Sequence, residues 1–198
     1  MTNADFFKAN KYVNVKSIIP KDICRIATRY ALLKEQYEFT PETGENAQVE
    51  NAQSVYADTL METLMSFMLP HMEKHTGLSL CPTYTYYRVY HPGMTLEKHV
   101  DRPSCEISTT ICLGVEYINP PSEDYNWGMY VGENNMIQQQ PGDLIIYRGC
   151  EVEHWRDPFV SSVGSYQVQA FFHYIDKNGP YYPEYAFDKR PGIGFRHK

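Results

Sequence analysis

Positive charge is in short supply in this chain: 18 Lys and Arg stand against 24 Asp and Glu, for a net charge of -6. That balance argues against a surface that holds nucleic acid or an anionic membrane by bulk electrostatics. Basic residues interleaved with aromatics are also sparse, so no nucleic-acid partner is expected. Long apolar runs are missing. No stretch of 18 apolar residues occurs, and the first ten residues, Met1 to Asn10, are polar, so neither a membrane span nor a secretory leader is expected. The 5 cysteines (Cys24, Cys81, Cys105, Cys112 and Cys150) are odd in number, scattered and never spaced Cys-x-x-Cys. This excludes a zinc ribbon and argues for reduced thiols over a disulfide framework, with the cytoplasm as the expected compartment. A glycine-rich phosphate loop and a Gly-x-Ser-x-Gly elbow are absent as well.

What is present describes one globular domain over residues 1–198, with 42% hydrophobic and 21% charged residues. Tyrosine (17) and phenylalanine (9) are abundant, and such side chains favour pleated, half-buried surfaces. Two helical patterns come first. From Ile19-Pro20-Lys21-Asp22 to about Gln36, apolar residues recur at Ile23, Ile26, Ala27, Tyr30, Ala31 and Leu33, with proline at the start, where its missing donor does no harm. Residues 40–53 are polar and turn-rich and are expected to form a surface loop. A second helix is expected from about Ser54 to Lys74, striped by Leu60, Leu64, Met65, Met68 and Met72 and stopped at Gly77. Beyond Gly77, strand-like runs at Thr83–Tyr90, Ile107–Val115, Gly128–Val131, Met136–Gln140, Leu144–Tyr147 and Tyr166–Tyr174 are separated by Pro, Gly and Asn turns. Helices followed by strands, without alternation, predict an α+β fold built on a sandwich or barrel. The Tyr-, Pro- and Arg-rich tail after Tyr181 is expected to wrap the surface.

Within this frame, His99-Val100-Asp101 and His154 form a candidate metal-binding set. Residues two apart on an extended strand point the same way, so His99 and Asp101 can address one ion. Two imidazoles and a carboxylate on one face of an octahedral ion leave the opposite positions free, the arrangement used for Fe(II) in oxygen chemistry. The triplet alone is also what a solvated Asp101–Arg102 ion pair beside a surface histidine would look like. Its surroundings add more. Tyr90-His-Pro-Gly-Met-Thr-Leu-Glu-Lys-His99-Val-Asp101 resembles the strand, turn and metal triplet of the Fe(II)/2-oxoglutarate oxygenases, particularly their prolyl-4-hydroxylase-like branch. Gln140-Pro-Gly-Asp-Leu-Ile-Ile-Tyr147 resembles the Gly-Asp turn and strand that lead to that family's distal histidine, and Glu153-His154-Trp155-Arg156 stands where that histidine belongs.

The resemblance covers about residues 83 to 175 and implies a double-stranded β-helix (jelly-roll) core there, buttressed by helices over about residues 17–76. It further implies Fe(II) held by His99, Asp101 and His154, with 2-oxoglutarate and O2 as co-substrates and ascorbate as an auxiliary reductant. The implied reaction is hydroxylation of a C–H bond in a peptidyl or amino-acid-like substrate, proline being one candidate, with release of succinate and CO2. In one respect the chain departs from the pattern. The branch places Lys or Arg about ten residues beyond the distal histidine, where this chain reads Val163-Gly-Ser-Tyr166-Gln and carries no base. Candidates to bind the oxo acid are therefore Arg88 and Tyr90, which share a strand face, Arg156, two residues beyond His154, and Tyr166. Arg88 is equally suited to pairing with a structural glutamate. Arg102 and Trp155 flank the ligands and are candidates to touch substrate; the loops 102–106 and 118–126, expected to select it, carry no motif. His173, in a Phe-rich run, is expected to be a core histidine, and His71 and His75 to be solvated at a helix end. Two rival readings remain open at this point: a non-catalytic jelly-roll binding module, and a cupin-like metal enzyme that uses no oxo acid.

Overall fold

The computed structural model describes residues 1–44 and 47–196. Along the chain run α1 (Asn3–Asn10), β1 (Tyr12–Val15), α2 (Lys21–Tyr37), β2 (Gln53–Tyr56) and α3 (Thr59–Thr76). The β-rich part follows: β3 (Leu80–Tyr90), β4 (Leu96–His99), β5 (Ile107–Glu116), β6 (Met129–Val131), β7 (Asn135–Ile137), β8 (Leu144–Arg148), β9 (His154–Arg156) and β10 (Tyr166–Asp176). A larger sheet has the order β1-β8-β5-β10-β3-β2, and a smaller one β4-β9-β6-β7. Every pairing is antiparallel. Strands β3 to β10 thus form two facing four-stranded layers, the double-stranded β-helix, with β1 and β2 added to the edges of the larger one.

Alternation along the long strands sorts the side chains. Tyr87 and Val89 of β3, Ile107, Ile111 and Leu113 of β5, and Val168, Ala170, Phe172 and Tyr174 of β10 pack with the helices in one apolar cluster. Helix α3 contributes the stripe Met61, Met65, Met68 and Met72, and α2 contributes Cys24, Ala27 and Ala31. Asp58 caps α3 by accepting from the amides of Leu60 and Met61, and Gly77 ends it at φ 72. The opposite residues of the same strands turn into the barrel, and they are unusually polar: Arg88, Ser108, Thr110, Gln167, Gln169 and His173 are all buried.

The structure differs from the expectations in several places. Ser54–Tyr56, expected to be helical, lies in β2 and pairs with β3 through Ser54↔Arg88 and Tyr56↔Tyr86; Ala57 at φ 50 and the Asp58 cap delay the helix. The polar N-terminus is the short helix α1, closed by a Thr2–Asp5 capping box. Strand β7 stops at Ile137, since Gln139 turns inward to donate to the carbonyls of Thr110 and Asp143. The 40–53 stretch is more than a surface loop: the Glu42 carboxylate accepts from the amides of Gln48 and Val49, the hydroxyls of Ser54 and Tyr86, and Arg88, and it ties the loop to the barrel. Residues 45 and 46 of that stretch lie outside those described. The tail does more than wrap the surface. Arg190 forms a buried ion pair with Glu62 at 2.6 Å and also donates to the carbonyl of Thr83. No described helix is long and apolar enough to cross a membrane.

Candidate metal centre

Strands β4 and β9 lie side by side in the smaller sheet, and their register sets His99 directly opposite His154. The two rings stand 4.3 Å apart, centroid to centroid. Strand β4 ends at His99, so Asp101 does not share its strand as the spacing suggests; it reaches the same point from the following segment, where its amide donates to the carbonyl of Gly149. Asp101 Oδ1 lies 3.7 Å from His99 Nε2 and 3.6 Å from His154 Nε2. Behind each ring a main-chain carbonyl sets the tautomer: His99 Nδ1 meets Glu97 O at 2.7 Å, and His154 Nδ1 meets Val152 O at 3.0 Å. A carbonyl only accepts, so both Nδ1 atoms carry hydrogen and both Nε2 atoms offer a lone pair to the point they share with Asp101. Burial lowers the pKa of His154, against the opposing pull of Asp101, and favours the neutral form that a metal ligand must have. The donor atoms of the three residues all lie within 4.8 Å of one another. Three donors of this chemistry, gathered on one side of a point, fit a facial triad.

The triad opens into a cavity of about 530 Å³. Tyr84, Tyr86 and Phe171 supply its aromatic wall, and Glu42, Gln48 and Arg88 its polar side. Among the arginines, Arg88 lines this cavity but is already engaged, by Glu42 and by Gln48 Oε1 at 2.7 Å. Arg102 lines it too, stacked on Tyr84 and held by Asp188 through bonds of 2.8 and 3.0 Å. Arg156 is fully buried inside the barrel, sharing β9 with His154. Its Nη1 donates to Trp127 O at 2.7 Å and its Nη2 to Gln139 Oε1 at 3.3 Å, while its Nε is buried without a partner. No carboxylate among the described residues pairs with it. The ionisable groups acting on it most strongly are the phenols of Tyr90, Tyr117 and Tyr147 and the thiol of Cys112, with no carboxylate among them.

The other sequence candidates lie elsewhere. Tyr90 is buried edge-on against Trp127 and does not line the cavity. Tyr166 packs on the helix side of the larger sheet, away from the barrel interior. Trp155 stacks on Tyr130 with Lys98 over it, pointing away from its neighbour His154. His71 is exposed, and His75 bonds Asn3 at 2.9 Å. His173, expected to be a core histidine, is buried and bonded to Ser108, and it also lines the cavity, with burial lowering its pKa to about 4. It stands beside Tyr84 and opposite Ser108, a placement that only strand register reveals.

No protein-family model and no curated protein sequence matches the chain. Solved structures do match. A prolyl-4-hydroxylase from Pseudomonas putida superposes with a TM-score of 0.65 at 14% identity, over 86% of this chain and 96% of that one. The fold is that of the Fe(II)/2-oxoglutarate oxygenases. The same fold is found in a non-heme α-ketoglutarate-dependent epimerase of nogalamycin biosynthesis (TM-score 0.67, 12% identity, 98% of this chain and 90% of that one). A prolyl hydroxylase from Trichoplax adhaerens, solved with a peptide fragment of hypoxia-inducible factor, also shares it (TM-score 0.62, 11% identity, 89% and 87% covered).

Proposed function

We propose that the chain is an Fe(II)- and 2-oxoglutarate-dependent oxygenase that hydroxylates a C–H bond of a small or peptidyl, amino-acid-like substrate. The observation that carries this reading is the convergence of His99, Asp101 and His154 at one point, beside β9, which runs on from His154 to Arg156, a buried guanidinium with no carboxylate partner among the described residues. His99 and His154 would hold the ion through Nε2, and Asp101 would neutralise one of its charges. When bound, Fe(II) with O2 and the oxo acid supplies the oxidising power to break an unactivated C–H bond, yielding succinate and CO2.

Arg156 is the residue we assign to the far carboxylate of the oxo acid. A buried cation without a counter-charge costs several kcal/mol, and an incoming carboxylate offsets that cost. Two residues along a strand is about 6.6 Å, a span suited to a five-carbon diacid anchored at one end beside His154. A guanidinium also offers the forked geometry that a carboxylate accepts. Arg88, engaged by Glu42, is left to hold the 40–53 loop. Tyr84, Tyr86 and Phe171 would shelter the substrate from water, and Arg102, steadied by Asp188, would face it at the rim.

The direct test is purified protein with Fe(II), ascorbate and 2-oxoglutarate, first alone and then with proline-containing peptides and free amino acids. Succinate is expected even without substrate, from slow uncoupled turnover, and a weak visible band is expected when Fe(II) and the oxo acid are combined anaerobically. Absence of both would overturn the proposal. Iron binding without any spectral response to the oxo acid would favour a metal enzyme of another kind.

A further inference from the structure

The two oxygens of Asp101 have different surroundings. Oδ1 faces the histidines, at 3.7 and 3.6 Å, whereas Oδ2 accepts from Ser108 Oγ at 2.8 Å. Ser108 Oγ also lies 2.9 Å from His173 Nδ1 and 3.0 Å from the carbonyl of Cys105. A serine hydroxyl has a single hydrogen. The carboxylate is the nearer and the charged acceptor, so that hydrogen belongs to Asp101. Towards His173 the serine oxygen is left as an acceptor, so His173 carries its proton on Nδ1 and donates it. The direction of the chain is thereby settled: His173 Nδ1–H to Ser108 Oγ–H to Asp101 Oδ2.

Both relay residues are held firmly. His173 and Ser108 are register partners across β10 and β5, both are buried, and the imidazole lies 4.5 Å from the Tyr84 ring. On the remaining side stands Gly149, where a Cβ would come within 2.4 Å of Asp101 Oδ2 and 2.2 Å of the Cys105 carbonyl. Oδ2 is therefore bonded on one flank and hemmed by backbone on another.

We propose that Ser108 and His173 are positioning residues that confine Asp101 to metal binding through Oδ1 alone. A carboxylate free to turn can present both oxygens to a cation. Held to one, it leaves a further coordination position for the oxo acid or O2. The inference rests on the metal reading above, and the test separates the two.

Wild-type protein, Ser108→Ala, His173→Leu and His173→Asn are loaded anaerobically with Co(II), whose visible spectrum reports coordination number. Binding constants are then measured, followed by the spectral response to 2-oxoglutarate. Ser108→Ala and His173→Leu are expected to lose about 10- to 100-fold in metal affinity and to show an altered Co(II) band. In His173→Asn the side-chain amide can take the place of Nδ1–H, and recovery towards the wild type is expected. Ser108→Ala removes one oxygen and adds no bulk, so it tests the relay even if His173→Leu does not fold. An unchanged affinity and spectrum in Ser108→Ala would overturn the proposal, as would equal losses in the Leu and Asn variants. Failure of the wild type to bind Co(II) at all would instead overturn the metal reading beneath it.

Discussion

One carbonyl oxygen behind each imidazole decides what His99 and His154 present to the cavity. The carboxylate between them is shaped just as closely, by a residue with no side chain. Gly149 passes so near Asp101 that its backbone receives the Asp101 amide on one side and faces Oδ2 on the other. Gly149→Ala would drive a methyl into Asp101 Oδ2 and into the Cys105 backbone, which cannot give way cheaply. The expected result is a protein that still folds but binds Fe(II) or Co(II) at least about tenfold more weakly, measured by chelator competition. Wild-type affinity in this variant would contradict the placement of Asp101. At this scale the convergence of His99, Asp101 and His154 was legible in the sequence, because their identity and the motifs before them carry a signal. Ser108, Gly149 and His173 were not legible: a serine, a glycine and a core-like histidine acquire their roles only when β5, β10 and the turn after β8 are brought together.

Among the elements, strand register does what sequence spacing appeared to do. His99 and Asp101 were read as neighbours on one strand, yet the pairing that matters is His99 opposite His154 across β4 and β9. Six strands of the barrel, β3, β5, β6, β7, β8 and β10, announce themselves as strand-like runs between Pro, Gly and Asn turns. The short strands β4 and β9 are too brief to show alternation, and β2 was absorbed into a helix pattern that begins only after Asp58. The seating of α2 on the larger sheet depends on a contact of similar closeness. A Cβ at Gly114 of β5 would lie 2.4 Å from Thr28 Oγ1 and 2.6 Å from Thr28 Cγ2. Gly114→Ala should cost about 1–3 kcal/mol by overpacking, and most of that should return in the Thr28→Ala/Gly114→Ala pair, measured as midpoints of chemical unfolding. Costs that simply add would show that α2 does not rest on this strand as described.

For the whole molecule, the arrangement is an apolar layer of helices packed on the larger sheet of a barrel whose interior carries charge. The scarcity of basic residues in the sequence makes the placement of three arginines around that interior more telling. Two of them, Arg88 and Arg102, are matched by the carboxylates of Glu42 and Asp188, while Arg156 has no carboxylate partner among the described residues and lies beside the proposed metal ligands. Sequence reasoning reached all three as candidates but had no means to rank them, because the acids that satisfy Arg88 and Arg102 come from a loop and a tail that carry no motif. A sandwich or barrel was legible from the strands and turns, and the jelly roll from the resemblance around His99 and His154, whereas the buried lock between Arg190 and Glu62 was not. The central claim, that His99, Asp101 and His154 bind iron and Arg156 receives the co-substrate, is tested most directly by anaerobic titration of the Fe(II)-loaded protein with 2-oxoglutarate. Arg156→Leu removes an unpaired buried charge, so the apo protein should fold with equal or greater stability. Its Kd for 2-oxoglutarate should nevertheless rise by at least about 30-fold, while Arg88→Gln stays within a few-fold of the wild type. An unchanged Kd in Arg156→Leu, with the loss appearing in Arg88→Gln instead, would contradict the account.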